Sequence, residues 1–131
     1  VHSKDGLDEI SLATPTYACE LKNGELKEFE IKPEDLGIEA QVLTGLDVSS
    51  SQESLALIKD ALGKRETANG KKAADILALN AGAAIYVAGL AQTMKAGVDM
   101  AQDAIYSGLA LEKLNELVSF SRFLAEDEAN Q

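Results

Sequence analysis

The chain has 131 residues, enough for one domain with a real core. Its 22 acidic side chains against 12 basic ones give a net charge of −10. That balance disfavours nucleic acid or an anionic membrane as principal partner, because either needs a concentrated positive surface. A small anionic substrate held through a metal stays open, and the single cysteine excludes an internal disulfide and points to a reducing cytoplasm.

The opening residues, VHSKDGLDE, lack the charged-then-apolar pattern of a signal peptide. Val1 and His2 read as the end of a strand, and KDGLDEIS (residues 4–11) as an acidic, glycine-containing loop. Next come two β-rich runs about Asn23-Gly24, the strongest short hairpin signal. A two-residue turn there sets Lys22 opposite Glu25, Leu21 opposite Leu26 and Glu20 opposite Lys27, with charge pairs supporting the register. Tyr17, Cys19 and Leu21 share a face with Leu26, whereas Phe29 and Ile31 fall on the other. A bulge in the second strand is the expected reconciliation.

Residues 33–36 form a helical turn led by proline and closed by Gly37, and residues 40–49 are loop. Ser50 and Glu53 have capping-box spacing and announce a helix with Leu55, Ile58 and Leu62 inward, ending at Gly63. Residues 63–70 are an exposed link. The central element is residues 71–91, KKAADILALNAGAAIYVAGLA, in which only Asp75 and Asn80 are strongly polar beyond Ala73. A helix apolar nearly all round is enclosed by protein; this one would be roughly 30 Å long. Its polar interruptions and its many alanines and glycines favour a soluble core helix over a membrane span. Gly82 and Gly89, with Ala78 and Ala81, make a thin strip for close approach by another backbone. A helix to about Ser107 follows, expected to bury Val98, Met100, Ala101, Ala104 and Ile105. The last begins near Leu109, apolar at Leu111, Leu114, Leu117, Val118 and Leu124, and EDEANQ is a frayed polar tail.

One histidine excludes a multi-histidine metal site and leaves little for a Ser-His-Asp arrangement, and one cysteine cannot build a structural zinc site. Neither GxxxxGK[ST] nor GxGxxG occurs. The remaining chemistry lies in DGLDE, where Asp8 and Glu9 are adjacent carboxylates in a loop that follows a strand. Hard oxygen ligands suit Mg²⁺, which keeps waters and takes one or two carboxylates along with substrate phosphates. Adjacent acids in a loop are also ordinary solvated turn residues. Asp5 shapes the turn with Gly6, Ser11 caps the loop, Lys4 is exposed and His2 is structural. Asn80 needs a partner inside its helix, met by a backbone group of the hairpin or the acidic loop. Tyr86 and Tyr106 read as core aromatics.

VHSKDGLDEIS, followed by TPTYACELKNGELKEFEIKPEDLGI and LNAGAAIYVAG, resembles the C-terminal part of the anthranilate phosphoribosyltransferase family over essentially the whole chain. The resemblance implies an α/β fold, with residues 1–131 as the C-terminal portion of a nucleoside phosphorylase/phosphoribosyltransferase-type catalytic domain, a β-hairpin plus about four helices. It implies phosphoribosyl transfer from phosphoribosyl pyrophosphate to anthranilate in tryptophan biosynthesis, Mg²⁺ dependence and a cytoplasmic homodimer. The family's Asp-Glu pair, a magnesium ligand at the pyrophosphate, falls on Asp8 and Glu9. The family's GTGGD loop, KHGN segment, serine-rich stretch and anthranilate-contacting arginine do not occur here, nor does its N-terminal helical domain. No catalytic or other cofactor-binding residue is therefore assigned, and these residues alone are expected to be inactive. A nucleic-acid-binding relative and a pyrimidine nucleoside phosphorylase-like enzyme are the alternatives.

Overall fold

A computed structural model describes residues 1–129. Three antiparallel strands, β1 (His2–Ser3), β2 (Thr16–Lys22) and β3 (Glu25–Ile31), lie in the order β1-β2-β3. Asn23 at φ 54° and Gly24 at φ 83° make the tight turn, and both take the left-handed region that a two-residue hairpin demands. Lys22 pairs with Glu25, Leu21 with Leu26 and Glu20 with Lys27, the register read from the turn. No bulge interrupts it: pairing runs unbroken to Thr16 opposite Ile31. Opposed residues share a face, so Thr16, Ala18, Phe29 and Ile31 turn inward together. Tyr17, Leu21 and Leu26 are exposed on the outer face, and the expected bulge is unnecessary.

A 3-10 turn over Pro33–Leu36 ends at Gly37, and four helices follow: α1 (Ser51–Leu62), α2 (Ala68–Val87), α3 (Met94–Tyr106) and α4 (Leu109–Ala129). Ser50 caps α1 by accepting the Glu53 N–H at 3.1 Å. The Glu53 carboxylate reaches one residue further back than a capping box requires, accepting from both the N–H and the hydroxyl of Ser49. The inner face of α1 is Leu57, Ala61 and Leu62, not Leu55 and Ile58, which are 44 % and 36 % exposed.

The central helix begins three residues earlier than expected, where the Thr67 hydroxyl accepts the Gly70 N–H at 2.8 Å. It is not enclosed all round. Ala73, Ala74, Ala78, Leu79 and Gly82 are buried against α1 and α3, while Ala81, Ala84 and Val87 face outward. Gly82 meets the backbone of α3: a Cβ there would lie 2.5 Å from the Val98 nitrogen. Gly89 lies beyond the helix at φ 76° with nothing near it, so the strip is shorter than the spacing suggested. In α3, Val98, Ala101 and Ile105 are buried as expected, but Met100 is 45 % exposed and Ala104 only half-buried. Tyr106 is exposed, with the Arg65 guanidinium 4.6 Å above its ring. In α4 only the first turns pack inward, and Leu117, Val118 and Leu124 are exposed. Of the tail, residues 126–129 are helical, and Asn130 and Gln131 lie outside the described residues. Among the described residues no helix is long and apolar enough to cross a membrane.

Candidate functional site

The loop between β1 and β2 is tied down at both shoulders and open at its crest. On the first shoulder the Ser3 N–H donates to the Leu7 carbonyl at 3.0 Å, and the Leu7 N–H donates to the Ser3 hydroxyl oxygen at 2.9 Å. The hydroxyls of Ser3 and Ser11 both donate to the Asp5 carboxylate, the second at 2.5 Å. Burial pushes the Asp5 carboxyl up, but the Ser11 and Ser3 hydroxyls outweigh it and hold the group below its ordinary value. Asp5 thus belongs to the loop's frame, as its place beside Gly6 suggested.

On the second shoulder Ile10 and Leu12 drive fully buried side chains into the core. The Ser11 N–H donates to the Thr16 hydroxyl at 3.1 Å, and Leu12 accepts from the Gln41 N–H at 2.9 Å. Asn80 reaches across from α2: its Oδ1 accepts the Ile10 N–H at 2.9 Å and its Nδ2 donates to the Ile10 carbonyl at 3.0 Å. The partner expected for this amide is therefore the acidic loop, not the hairpin.

Between the shoulders Asp8 and Glu9 are exposed, and among the described residues neither carboxylate is locked in an ion pair. Lys4 is drawn away from them: it pairs with Glu30 at 2.7 Å and lies 5.1 Å from the centre of the Tyr17 ring. His2 is exposed on the first strand. Among the described residues no group of three or more His, Cys, Asp or Glu side chains could hold a metal. The described residues therefore offer two carboxylates at the crest and no third His, Cys, Asp or Glu ligand. That set suits the open edge of a Mg²⁺ site completed by water and phosphate oxygens, not an all-protein cage.

The hairpin's inner face and the α2–α3 end line a separate, open cleft of about 320 Å³, with Phe29, Ile31, Tyr86 and Met94 among its walls. Tyr86 closes one side of it, donating to Glu20 at 2.7 Å and accepting from Lys22 at 3.2 Å. Asp8 and Glu9 do not line this cleft. Sequence reasoning missed the Ser3 and Thr16 hydroxyls as buried loop anchors.

The three-stranded sheet and four helices make this an α/β domain, and residues 1–111 match the family described as "Glycosyl transferase family, a/b domain". The chain belongs to that family. Within it, the chain is 58 % identical over 127 residues to the anthranilate phosphoribosyltransferase of Stutzerimonas stutzeri, covering 97 % of this chain and 36 % of that protein. The crystal structure of anthranilate phosphoribosyltransferase from Thermus thermophilus superposes with a TM-score of 0.77 at 31 % identity, over 90 % of this chain and 34 % of that one. A variant of the Saccharomyces cerevisiae enzyme solved with Mg bound shares the fold, with a TM-score of 0.71 at 23 % identity over 87 % of this chain and 32 % of that one. The chain thus spans about a third of the length of the relatives it matches.

Proposed function

We propose that this chain is the C-terminal portion of the catalytic domain of an anthranilate phosphoribosyltransferase. The enzyme would transfer phosphoribosyl from phosphoribosyl pyrophosphate to the amine of anthranilate in tryptophan biosynthesis and release pyrophosphate. The observation that carries this reading is the 58 % identity to such an enzyme across 97 % of the chain. Supporting it, the loop presents Asp8 and Glu9 to solvent without an ion pair, while Asp5 and Asn80 hold its shoulders.

In this reading Asp8 and Glu9 hold Mg²⁺ at the diphosphate. The bound ion supplies positive charge to oxygens on which negative charge grows as the leaving group departs. The protein's share is to present two solvent-facing carboxylates from adjacent residues. Stabilising an oxocarbenium-like transition state also requires sugar, diphosphate and amine to be oriented together, and two carboxylates cannot do that. Residues 1–131 alone accordingly give no turnover. The complete protein is a cytoplasmic homodimer in this reading, and the net charge of −10 speaks against a nucleic-acid-binding role.

The test replaces Asp8 and Glu9 together by alanine in the complete protein. The expected result is a fall of roughly 100-fold or more in kcat/KM with loss of the Mg²⁺ dependence and an unchanged circular dichroism spectrum. Unchanged kinetics in a folded variant would remove the assignment.

A further inference from the structure

Asn80 uses its whole side-chain amide. Its Oδ1 takes the Ile10 N–H at 2.9 Å, and its Nδ2 gives one hydrogen to the Ile10 carbonyl at 3.0 Å and the other to the Ile76 carbonyl at 3.0 Å. The bond to Ile76, one turn back in α2, fixes the side chain's rotamer. The two bonds to Ile10 then grip both polar groups of a single loop residue, as a strand neighbour would. Such a grip is directional: it sets the position and the rotation of that peptide segment, which packing of the Ile10 side chain alone would not do.

The base of this clamp is stiff. Two residues further along α2, Gly82 lies in backbone contact with α3, which holds in place the helix that carries Asn80. The gripped residue is close to the chemistry. Asp8 and Ile10 are two residues apart, at most about 7 Å of extended chain. On the far side of the pair, Leu7 is held through both its N–H and its carbonyl by Ser3. The crest therefore has one peptide on each side of Asp8-Glu9 pinned by hydrogen bonds, with the two acidic side chains exposed and, among the described residues, in no ion pair.

We propose that Asn80 is the positioning residue for the Asp8–Glu9 pair, setting from α2 where the two carboxylates are presented to a divalent cation. The inference rests on the reading of those carboxylates as metal ligands. An amide suits the task better than an ionised group. It grips both a donor and an acceptor, and it adds no charge that would compete with the cation for the carboxylates. Groups that orient ligating side chains from behind change metal affinity by about 10- to 100-fold when removed.

The test uses this chain, labelled with nitrogen-15, and Mn²⁺ as a paramagnetic stand-in for Mg²⁺. In the parent, Mn²⁺ broadens the amide signals of Asp8, Glu9 and Ile10 first. In Asn80→Ala the Mn²⁺ concentration needed for the same broadening rises about 10-fold or more. Amide hydrogen exchange over residues 7–11 also speeds by about 10-fold, with the α2 and α3 signals in place. Should Asn80→Ala fail to fold, Asn80→Gln keeps the amide chemistry one methylene too long for Ile10 and is read the same way. A folded variant with parental Mn²⁺ response and parental exchange in the loop overturns the inference and leaves the metal reading intact. No broadening of the loop in the parent shows that the two carboxylates do not retain the cation without diphosphate oxygens. Asn80 as the element that orders the two carboxylates then stands or falls on the exchange rates alone.

Discussion

Gly97 of α3 lies directly on the carbonyl of Gly82 in α2: a Cβ at residue 97 would come 2.2 Å from that oxygen. The reverse approach is as close, since a Cβ on Gly82 would meet the Val98 nitrogen at 2.5 Å. Both neighbours are backbone atoms of packed helices, so neither can swing aside. Gly82→Ala should therefore force α2 and α3 apart and lower stability by about 3 kcal/mol, the upper end of ordinary overpacking. Urea unfolding of the parent and the variant measures this directly. Gly89→Ala, with open space around the residue but a left-handed φ of 76°, is the comparison that should lose only the backbone strain, about 1–2 kcal/mol.

The hairpin offers a test of its unbroken register. Phe29 packs against the core opposite Ala18, while Leu26 is 72 % exposed opposite Leu21. Phe29→Ala should cost about 1–3 kcal/mol, below the figure for a fully buried ring because Phe29 is only half-buried. Leu26→Ala should stay within about 0.5 kcal/mol. A bulge that turned Leu26 inward would reverse that order in chemical denaturation.

These two cases show what the residues made legible and what they hid. The Asn23-Gly24 turn has local chemistry strong enough to fix its own register, and the capped helix start at Ser50 is local too, whereas the Thr67 cap lies inside a stretch that reads as an exposed link. Which face becomes the core is not local. Tyr17, Leu21 and Leu26 outweigh Thr16 and Ala18 in apolar content, yet Thr16 and Ala18 are the buried ones, because they share a face with Phe29 and Ile31. The same logic misled the reading of α1, where Ala61 is fully buried while Leu55 and Ile58 are turned outward. In the candidate site the adjacent acids and the need of Asn80 for a partner were both visible. Asp5 and Ser11 were visible as turn and cap residues, but their joining with Ser3 into one frame was not, because it depends on the loop folding back on itself.

Asp60 links the end of α1 to the start of α2. Its carboxylate accepts from the Thr67 hydroxyl at 2.6 Å, the Glu66 N–H at 2.8 Å and the Thr67 N–H at 3.2 Å. The Thr67 hydroxyl first, and then the Glu66 N–H, hold the Asp60 carboxyl below its ordinary value. A group depressed in the folded state stabilises fully above its unfolded value and loses that contribution as pH falls through the folded one. Thermal melts from pH 7 to about pH 2.5 should show the parent losing stability below the ordinary aspartate range, near about pH 4. Asp60→Asn should start from a lower Tm at neutral pH, and the two curves should converge at the acid end. Parallel curves across the whole range would show that these bonds do not favour the ionised form.

The three acids of DGLDE separate cleanly by what each one touches. Asp5 accepts from two hydroxyls whose residues, Ser3 and Ser11, are fully buried, whereas Asp8 and Glu9 are exposed and outside every ion pair among the described residues. Asp5→Ala should destabilise this chain by about 1–2 kcal/mol, a figure discounted because the carboxylate keeps one side in water. Asp8→Ala and Glu9→Ala should each change stability by less than about 0.5 kcal/mol. In Mn²⁺ titrations the order inverts. The Asp8 and Glu9 variants lose the response outright, and Asp5→Ala weakens it only through a looser loop. A stability cost shared equally by all three acids would mean that the crest carboxylates belong to the frame. Their availability to a cation, on which the proposed chemistry depends, would then be gone.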